Sequence, residues 1–136
     1  MDDSPAAVRA WFNRRAVVQM TMAANRAVNE AFGREVFSAP AWEMLLDLYS
    51  RNPNEVISVT SLCIAANVPT RTAQHVIERL VELGLLVRSS HPSDKRLALI
   101  SLSALSITLL DKVFDHLMDL TLINGIAPER NLGDPI

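Results

Sequence analysis

Residues 58–102 read SVTSLCIAANVPTRTAQHVIERLVELGLLVRSSHPSDKRLALISL, and the punctuation of this stretch decides the fold. Ser58 can cap a short helix from Val59 to Ala66, whose Leu62, Cys63 and Ala66 share an inward face. Asn67 stands where that helix stops, and asparagine tolerates the left-handed conformation such stops often use. Val68-Pro69 forms a turn. A second helix is predicted from about Thr70 to Leu83, with Ala73, Val76, Ile77 and Leu80 on one face and Gly84 as terminator. Two short helices across so brief a turn make a helix-turn-helix. After Gly84 the period changes. Leu85-Leu86-Val87-Arg88 and Leu97 to Leu102 read as strands, and the polar run Ser89 to Arg96 between them reads as a long basic hairpin loop.

Outward from this stretch, helices are predicted on both sides. Ser4-Pro5 is a sound helix start, and the segment from Pro5 to about Phe32 has no internal Gly or Pro. Its apolar residues cover two faces, Val8, Trp11, Val18, Met22 and Phe32 on one, Ala10, Val17, Met20, Ala24, Ala27 and Ala31 on the other. A helix lying on one core needs one stripe. Two stripes mean either a helix sunk in its own core or one stripe kept for a partner chain. Gly33 ends the pattern and Ala39-Pro40 opens another, with Trp42, Leu45, Leu46, Leu48 and Tyr49 as core positions before Arg51-Asn52-Pro53-Asn54 closes it. A last helix runs from Ser103 to about Ile123, its apolar residues again on more than one face. The tail, 124–136, reads as loosely ordered.

The expected architecture is therefore one domain over 1–136, mostly α with a small β-hairpin wing. A winged helix-turn-helix over 40–102 is flanked by N- and C-terminal helices, 5–32 and 103–123, which become dimerisation helices if their second apolar stripe is kept for a partner chain. The chain's 136 residues suffice for a hydrophobic core without disulfides or a structural metal. An apolar content of 49 % with 21 % charged residues argues against wholesale disorder. No run approaches the roughly 18 apolar residues that cross a bilayer. The opening Met1-Asp2-Asp3-Ser4 is not the pattern of a secretory leader. One cysteine, Cys63, cannot form an internal disulfide, which fits the cytoplasm.

The net charge of −2 counsels caution about a nucleic-acid partner, but the charge is uneven. Residues 70–101 hold five cations against three acids, a local +2, whereas residues 111–136 hold two against five, a local −3. Phosphate binding depends on the patch rather than the total. On the second helix of the pair, helical spacing turns Thr70, Arg71, Gln74, His75 and Glu78 away from the apolar stripe. Arg79 follows one position on. Arg can hold guanine O6 and N7 in bidentate fashion, Gln can do the same with adenine, and Thr can touch a base edge or a phosphate. Glu78 is expected away from the phosphates or on a cytosine amino group. Lys95 and Arg96 lie on the loop, where long cations reach a phosphate or the minor groove. Asp94, two residues before Arg96, is assigned to orienting that guanidinium. Ser58, Thr60 and Ser61 open the first helix of the pair, where hydroxyls and free N–H groups favour a phosphate.

These residues resemble the MarR (multiple antibiotic resistance regulator) family of bacterial transcription regulators. The resemblance is carried by Ala41 to Leu48, Ser58 to Ala66, Ile77 to Leu86, and Asp94-Lys95-Arg96 followed by Ile100-Ser101-Leu102-Ser103. The last two match the family patterns R-L-x-x-x-G-L and D-x-R … L-T/S. The resemblance implies a homodimer whose N- and C-terminal helices pack across a two-fold. It also implies recognition positions at Arg71, Gln74 and His75 and a wing pair at Asp94 and Arg96. The family often senses small phenolic or oxidising effectors, so a small-molecule effector joins the expected partners, although no residue here carries that over. Two features depart from the family: Pro69 stands where a Ser cap is common, and the chain ends about thirty residues after Ser106.

Cys63 reads as a buried apolar cysteine. His75, His91 and His116 are too dispersed for a metal site. No Gly-rich phosphate loop, Ser-His-Asp order or carboxylate pair points to catalysis, so neither a cofactor nor an enzyme activity is expected. The expected function is sequence-specific binding of double-stranded DNA by a homodimeric regulator. The alternative is a winged-helix protein-interaction module without DNA binding, suggested by the acidic total and by Glu78.

Overall fold

A computed structural model of the chain describes residues 4–34, 36, 39–51 and 55–123, with side chains as far as residue 120. The elements are α1 (Pro5–Phe32), α2 (Ala39–Ser50), β1 (Ile57–Ser58), α3 (Val59–Ala65), α4 (Thr70–Glu82), β2 (Leu86–Ser90), β3 (Ala98–Leu102) and α5 (Ala104–Ile123). The predicted tail lies outside the described residues.

Local chemistry explains the helix ends. Ser4 Oγ accepts the Ala7 N–H at 3.2 Å, and Pro5 occupies the first helical position. At the other end of α1, Gly33 takes φ 82° while its N–H reaches Asn29 O at 2.9 Å. Ser58 Oγ caps α3 through the Ser61 N–H at 3.1 Å. Asn67 adopts φ 52°, the left-handed stop expected of it. Gly84, at φ 75°, ends α4 in a Schellman turn, with its N–H on Val81 O at 3.0 Å and the Leu85 N–H on Leu80 O at 2.9 Å. The two leucines of that turn, Leu80 and Leu85, are both buried.

The core gathers Met44, Leu45 and Leu48 of α2, Leu62 of α3, Ala73, Ile77 and Leu80 of α4, Leu86, Ile100 and Leu102 of the sheet, and Leu110 of α5. The inward face of α2 is Ala41-Met44-Leu45-Leu48, a regular helical stripe. Trp42 and Tyr49, predicted as core, lie at its margin instead and stack on Phe114 of α5 at ring separations of 6.4 and 5.2 Å. Tyr49 donates its phenol to Asp111 Oδ1 at 2.6 Å. That hydrogen bond, then burial, then the charges of Asp111 and Asp115 push the phenol up to about 12.

The sheet differs from the expected hairpin in two ways. It has three antiparallel strands in the order β1-β3-β2, with Ile57 opposite Ile100 and Ser58 opposite Leu99. Two residues are too short for a period-2 pattern to show, and only their long-range partner makes them a strand. The hairpin is also offset. Ser89 and Ser90, predicted as loop, pair with Leu99 and Ala98. Leu85, predicted as strand, belongs to the helix stop, and Leu97 falls in the turn. Strand pairing uses backbone groups, so a solvated edge strand can continue through serines.

α5 is tied to this sheet by a polar clamp. Leu85 O accepts both the Ser103 N–H at 3.1 Å and the hydroxyl of Ser106 at 2.5 Å. Ser106 is fully buried, and its own N–H is capped by Ser103 Oγ at 3.1 Å. Ser106→Ala is expected to cost about 1 kcal/mol, because Leu85 O keeps its second donor. The midpoint of urea unfolding measures this, and an unchanged midpoint would mean that the clamp contributes nothing.

α1 is the exception to burial. Val28 is its one buried residue, while Val8, Trp11, Phe12, Val17, Val18 and Met22 are exposed. Of the two sequence alternatives, a helix sunk in its own core does not describe the N-terminal half.

Candidate nucleic-acid interface

α4 has two opposed sides. Ala73, Ile77 and Leu80 are buried and Val76 is half-buried, while Thr70, Arg71, Gln74, His75, Glu78 and Arg79 are all exposed. The buried stripe holds the helix against α2 and α3, so the exposed side forms a fixed convex ridge. At its start, Pro69 offers no side-chain cap, and the helical ladder begins with the Ala73 N–H on Pro69 O at 3.0 Å. The turn of the motif folds Thr60, Cys63, Ile64, Asn67, Pro69 and Thr70 around one groove, which brings Thr60 of α3 beside Thr70 of α4.

The residues singled out in the sequence do not all sit together. Thr70, Arg71, Gln74 and His75 occupy the first two turns of α4. Arg79 lies two turns beyond Arg71, about 12 Å along the axis, and its guanidinium is engaged with Glu82 at 3.1 Å. Ser58 spends its hydroxyl proton on Ser61 Oγ at 2.9 Å while capping α3. Thr60 and Ser61 are exposed.

The wing has its own internal order. Asp94 Oδ1 accepts both the Arg96 N–H at 3.0 Å and its Nε–H at 3.2 Å. Lys95 and Arg96 are exposed, the Arg96 side chain to 92 %, so Asp94 grips the base of a guanidinium that otherwise stands in solvent. A residue that sequence reasoning passed over completes the turn. His91 Nδ1 accepts the N–H groups of Ser93 at 3.0 Å and Asp94 at 3.2 Å, which requires that nitrogen to be unprotonated. The sequence clue was a polar side chain two and three residues before backbone donors in a turn, the pattern usually met with Asn or Asp. His91 N–H on Leu97 O at 3.1 Å and Leu97 N–H on Asp94 O at 3.1 Å close the loop.

Cys63 is buried on α3, and desolvation pushes its thiol up, which disfavours the reactive thiolate. Among the described residues no cluster of metal-ligating side chains occurs, and no helix is long and apolar enough to cross a membrane.

Solved structures share this architecture. RV1404 from Mycobacterium tuberculosis superposes with a TM-score of 0.69 at 18 % identity, over 94 % of this chain and 85 % of that one. A mutant of S. aureus MepR bound to an oligodeoxyribonucleotide gives 0.67 at 18 % identity, over 88 % and 84 %. Sco3205, a MarR family transcriptional regulator from Streptomyces coelicolor in complex with DNA, gives 0.56 at 19 % identity, over 90 % and 78 %. No protein-family model matches the sequence, and no curated protein matches it. The fold is thus a winged helix-turn-helix, and in particular a MarR-like one.

Proposed function

We propose that this protein is a cytoplasmic, sequence-specific regulator of transcription that binds double-stranded DNA as a homodimer. The observation that carries the reading is the pairing of the rigid Thr70-Arg71-Gln74-His75 ridge with a wing whose Arg96 is held at its base by Asp94. The ridge enters the major groove, where Arg71 and Gln74 read base edges. Lys95 and Arg96 contact the backbone or the minor groove beside it. Thr60 and Ser61 contact a phosphate, with Ser58 acting through the cap. Arg79 adds its charge at the far end of α4. Two copies place their ridges about 34 Å apart, one turn of the duplex.

A mobility-shift titration against the DNA upstream of its own gene tests the reading. Retardation that weakens steeply with salt is expected. Absence of salt-sensitive binding to any duplex overturns it. A second reading, capture of a protein by the same ridge, is favoured by Glu78 and by the Arg79–Glu82 pair, which leave Arg71 as the one arginine of α4 without an acidic partner among the described residues. Under that reading a bound protein, and not DNA, protects α4 from hydrogen exchange.

The wing pair yields a prediction of its own. Asp94→Ala is expected to weaken DNA binding about two- to fivefold, by freeing an exposed guanidinium. In the Arg96→Ala background the same change is expected to do nothing further. Equal losses in both backgrounds would remove Asp94 from any orienting role.

A small-molecule effector completes the proposed partners. A cleft between α1 and α5, lined by Ala27, Glu30, Leu109, Lys112 and His116, offers it a carboxylate, an ammonium and an imidazole.

A further inference from the structure

The turn of the wing is closed by an imidazole. Its sequence is Ser90-His91-Pro92-Ser93-Asp94-Lys95-Arg96-Leu97. Proline has no N–H, so the first backbone donors after His91 belong to Ser93 and Asp94. Both donate to one atom, His91 Nδ1, at 3.0 and 3.2 Å. A ring nitrogen that accepts carries no proton, so the imidazole holds its hydrogen on Nε2. His91 is half-buried under this turn, while Pro92 and Ser93 are exposed.

This closure leads directly to the wing arginine. Asp94 donates its N–H to His91, accepts the Arg96 N–H and Nε–H with Oδ1, and accepts the Leu97 N–H with its carbonyl. Whatever holds the backbone of Asp94 therefore places the carboxylate that grips Arg96. A proton on Nδ1 turns that nitrogen from acceptor to donor. Both hydrogen bonds then end at once, and an N–H faces two N–H groups. The charged groups around the ring do not offset this. Over 86–102 the cations are Arg88, Lys95 and Arg96, and Asp94 is the only acid. An imidazolium there competes with Arg96 for that one carboxylate. α4, the helix packed against β2, carries Arg71, His75, Glu78, Arg79 and Glu82, all exposed, with Arg79 and Glu82 paired at 3.1 Å.

We propose that His91 is a positioning residue for the wing, acting on Arg96 through Asp94, and that its protonation opens the turn and lowers DNA affinity. The proposal rests on the DNA-binding reading above and adds to it a residue and a dependence on pH. The sign follows from the hydrogen bonds. Neutral His91 accepts both N–H groups, so the ordered wing belongs to the higher pH, and it is lost on acidification through the range of about pH 5 to 8 in which histidine changes charge. A histidine serving as a plain phosphate contact would do the reverse and tighten binding as it gains charge.

Two variants of the full chain test this. His91→Asn keeps an acceptor, since an amide oxygen two bonds from Cβ bonds backbone N–H groups in the same way and does not titrate. His91→Ala has none at any pH. Binding is measured by fluorescence anisotropy at fixed ionic strength, on the duplex that the wild type selects from a random pool at pH 7.5. At pH 7.5 the wild type and His91→Asn are expected to bind equally, and His91→Ala about three- to tenfold more weakly. At pH 5.5 the wild type should fall to the level of His91→Ala, while His91→Asn does not follow it. The ratio of wild type to His91→Asn cancels the titration of His75, which all three proteins share. In the free protein, nitrogen NMR should show Nδ1 unprotonated at pH 7.5, with the Ser93 and Asp94 amide signals moving in step with the ring on acidification. A proton on Nδ1 at pH 7.5, parallel pH profiles for the wild type and His91→Asn, or tighter binding by the wild type in acid each overturns the proposal and leaves DNA binding standing. Absence of salt-sensitive binding at either pH overturns both.

Discussion

Replacing Ile77 with alanine is expected to lower the free energy of unfolding by about 2–5 kcal/mol. Ile77 is 1 % exposed and sits at the centre of the buried side of α4, packed in the core that joins α2, α3 and the sheet. Alanine removes three carbons and leaves a void that the surrounding leucines fill only in part. A domain of this size has about 5–15 kcal/mol in all, so the loss is a large fraction of the whole. The ridge proposed to meet DNA is the other side of the same helix, so binding should fall with stability. The chain contains its own control. Ile64 is 75 % exposed on α3, and Ile64→Ala should change stability by no more than about 0.5 kcal/mol. Urea titration followed by circular dichroism measures both. Similar losses at the two positions would mean that the buried and exposed sides of the motif are misassigned.

Arg71→Ala is expected to cost about 1–3 kcal/mol of DNA affinity at a preferred site, which is about five- to 150-fold. Arg71 is exposed in the first turn of α4 and has no acidic partner among the described residues, so on the proposed reading its guanidinium would enter the groove without first breaking an ion pair. The loss should be confined to particular sequences, and binding to random duplex should fall much less. Arg96→Ala provides the contrast. It should weaken binding across all sequences and lower the salt slope by about one. Competition mobility shifts with selected and random duplexes separate the two. A uniform loss for Arg71→Ala would move it from base reading to phosphate contact. A sequence-selective loss for Arg96→Ala would place the wing on base edges.

Much of the fold is legible in the sequence because it is local chemistry. The Ser4-Pro5 start of α1, the Ser58 cap, the left-handed Asn67 and the Gly84 stop each depend on a few neighbouring residues. Each is found where expected. The buried stripe of α4 follows from a period of 3.6, and the exposed ridge opposite follows from the same count. Met44 is a core residue that the sequence does not mark, because α2 is apolar on more than one side and its composition does not distinguish the stripe Ala41-Met44-Leu45-Leu48 from one centred on Trp42 and Tyr49. The imidazole of His91 was missed because a histidine in a turn carries no fixed meaning until its ring nitrogen is placed against backbone donors.

The amino-acid sequence alone determined the winged helix-turn-helix order, the caps and the residues of the ridge, since those rest on helical and strand periods and on turn chemistry. Tertiary structure alone decided the third strand at Ile57-Ser58, the extension of β2 through two serines and the double clamp on Leu85 O, since each is made by a partner distant in the chain. It also decided the state of α1. Two apolar stripes fit equally a helix inside its own core and one awaiting another chain. The packed molecule closes its core with Trp11, Phe12, Val18 and Met22 outside it, which sets the first description aside for the N-terminal half of α1.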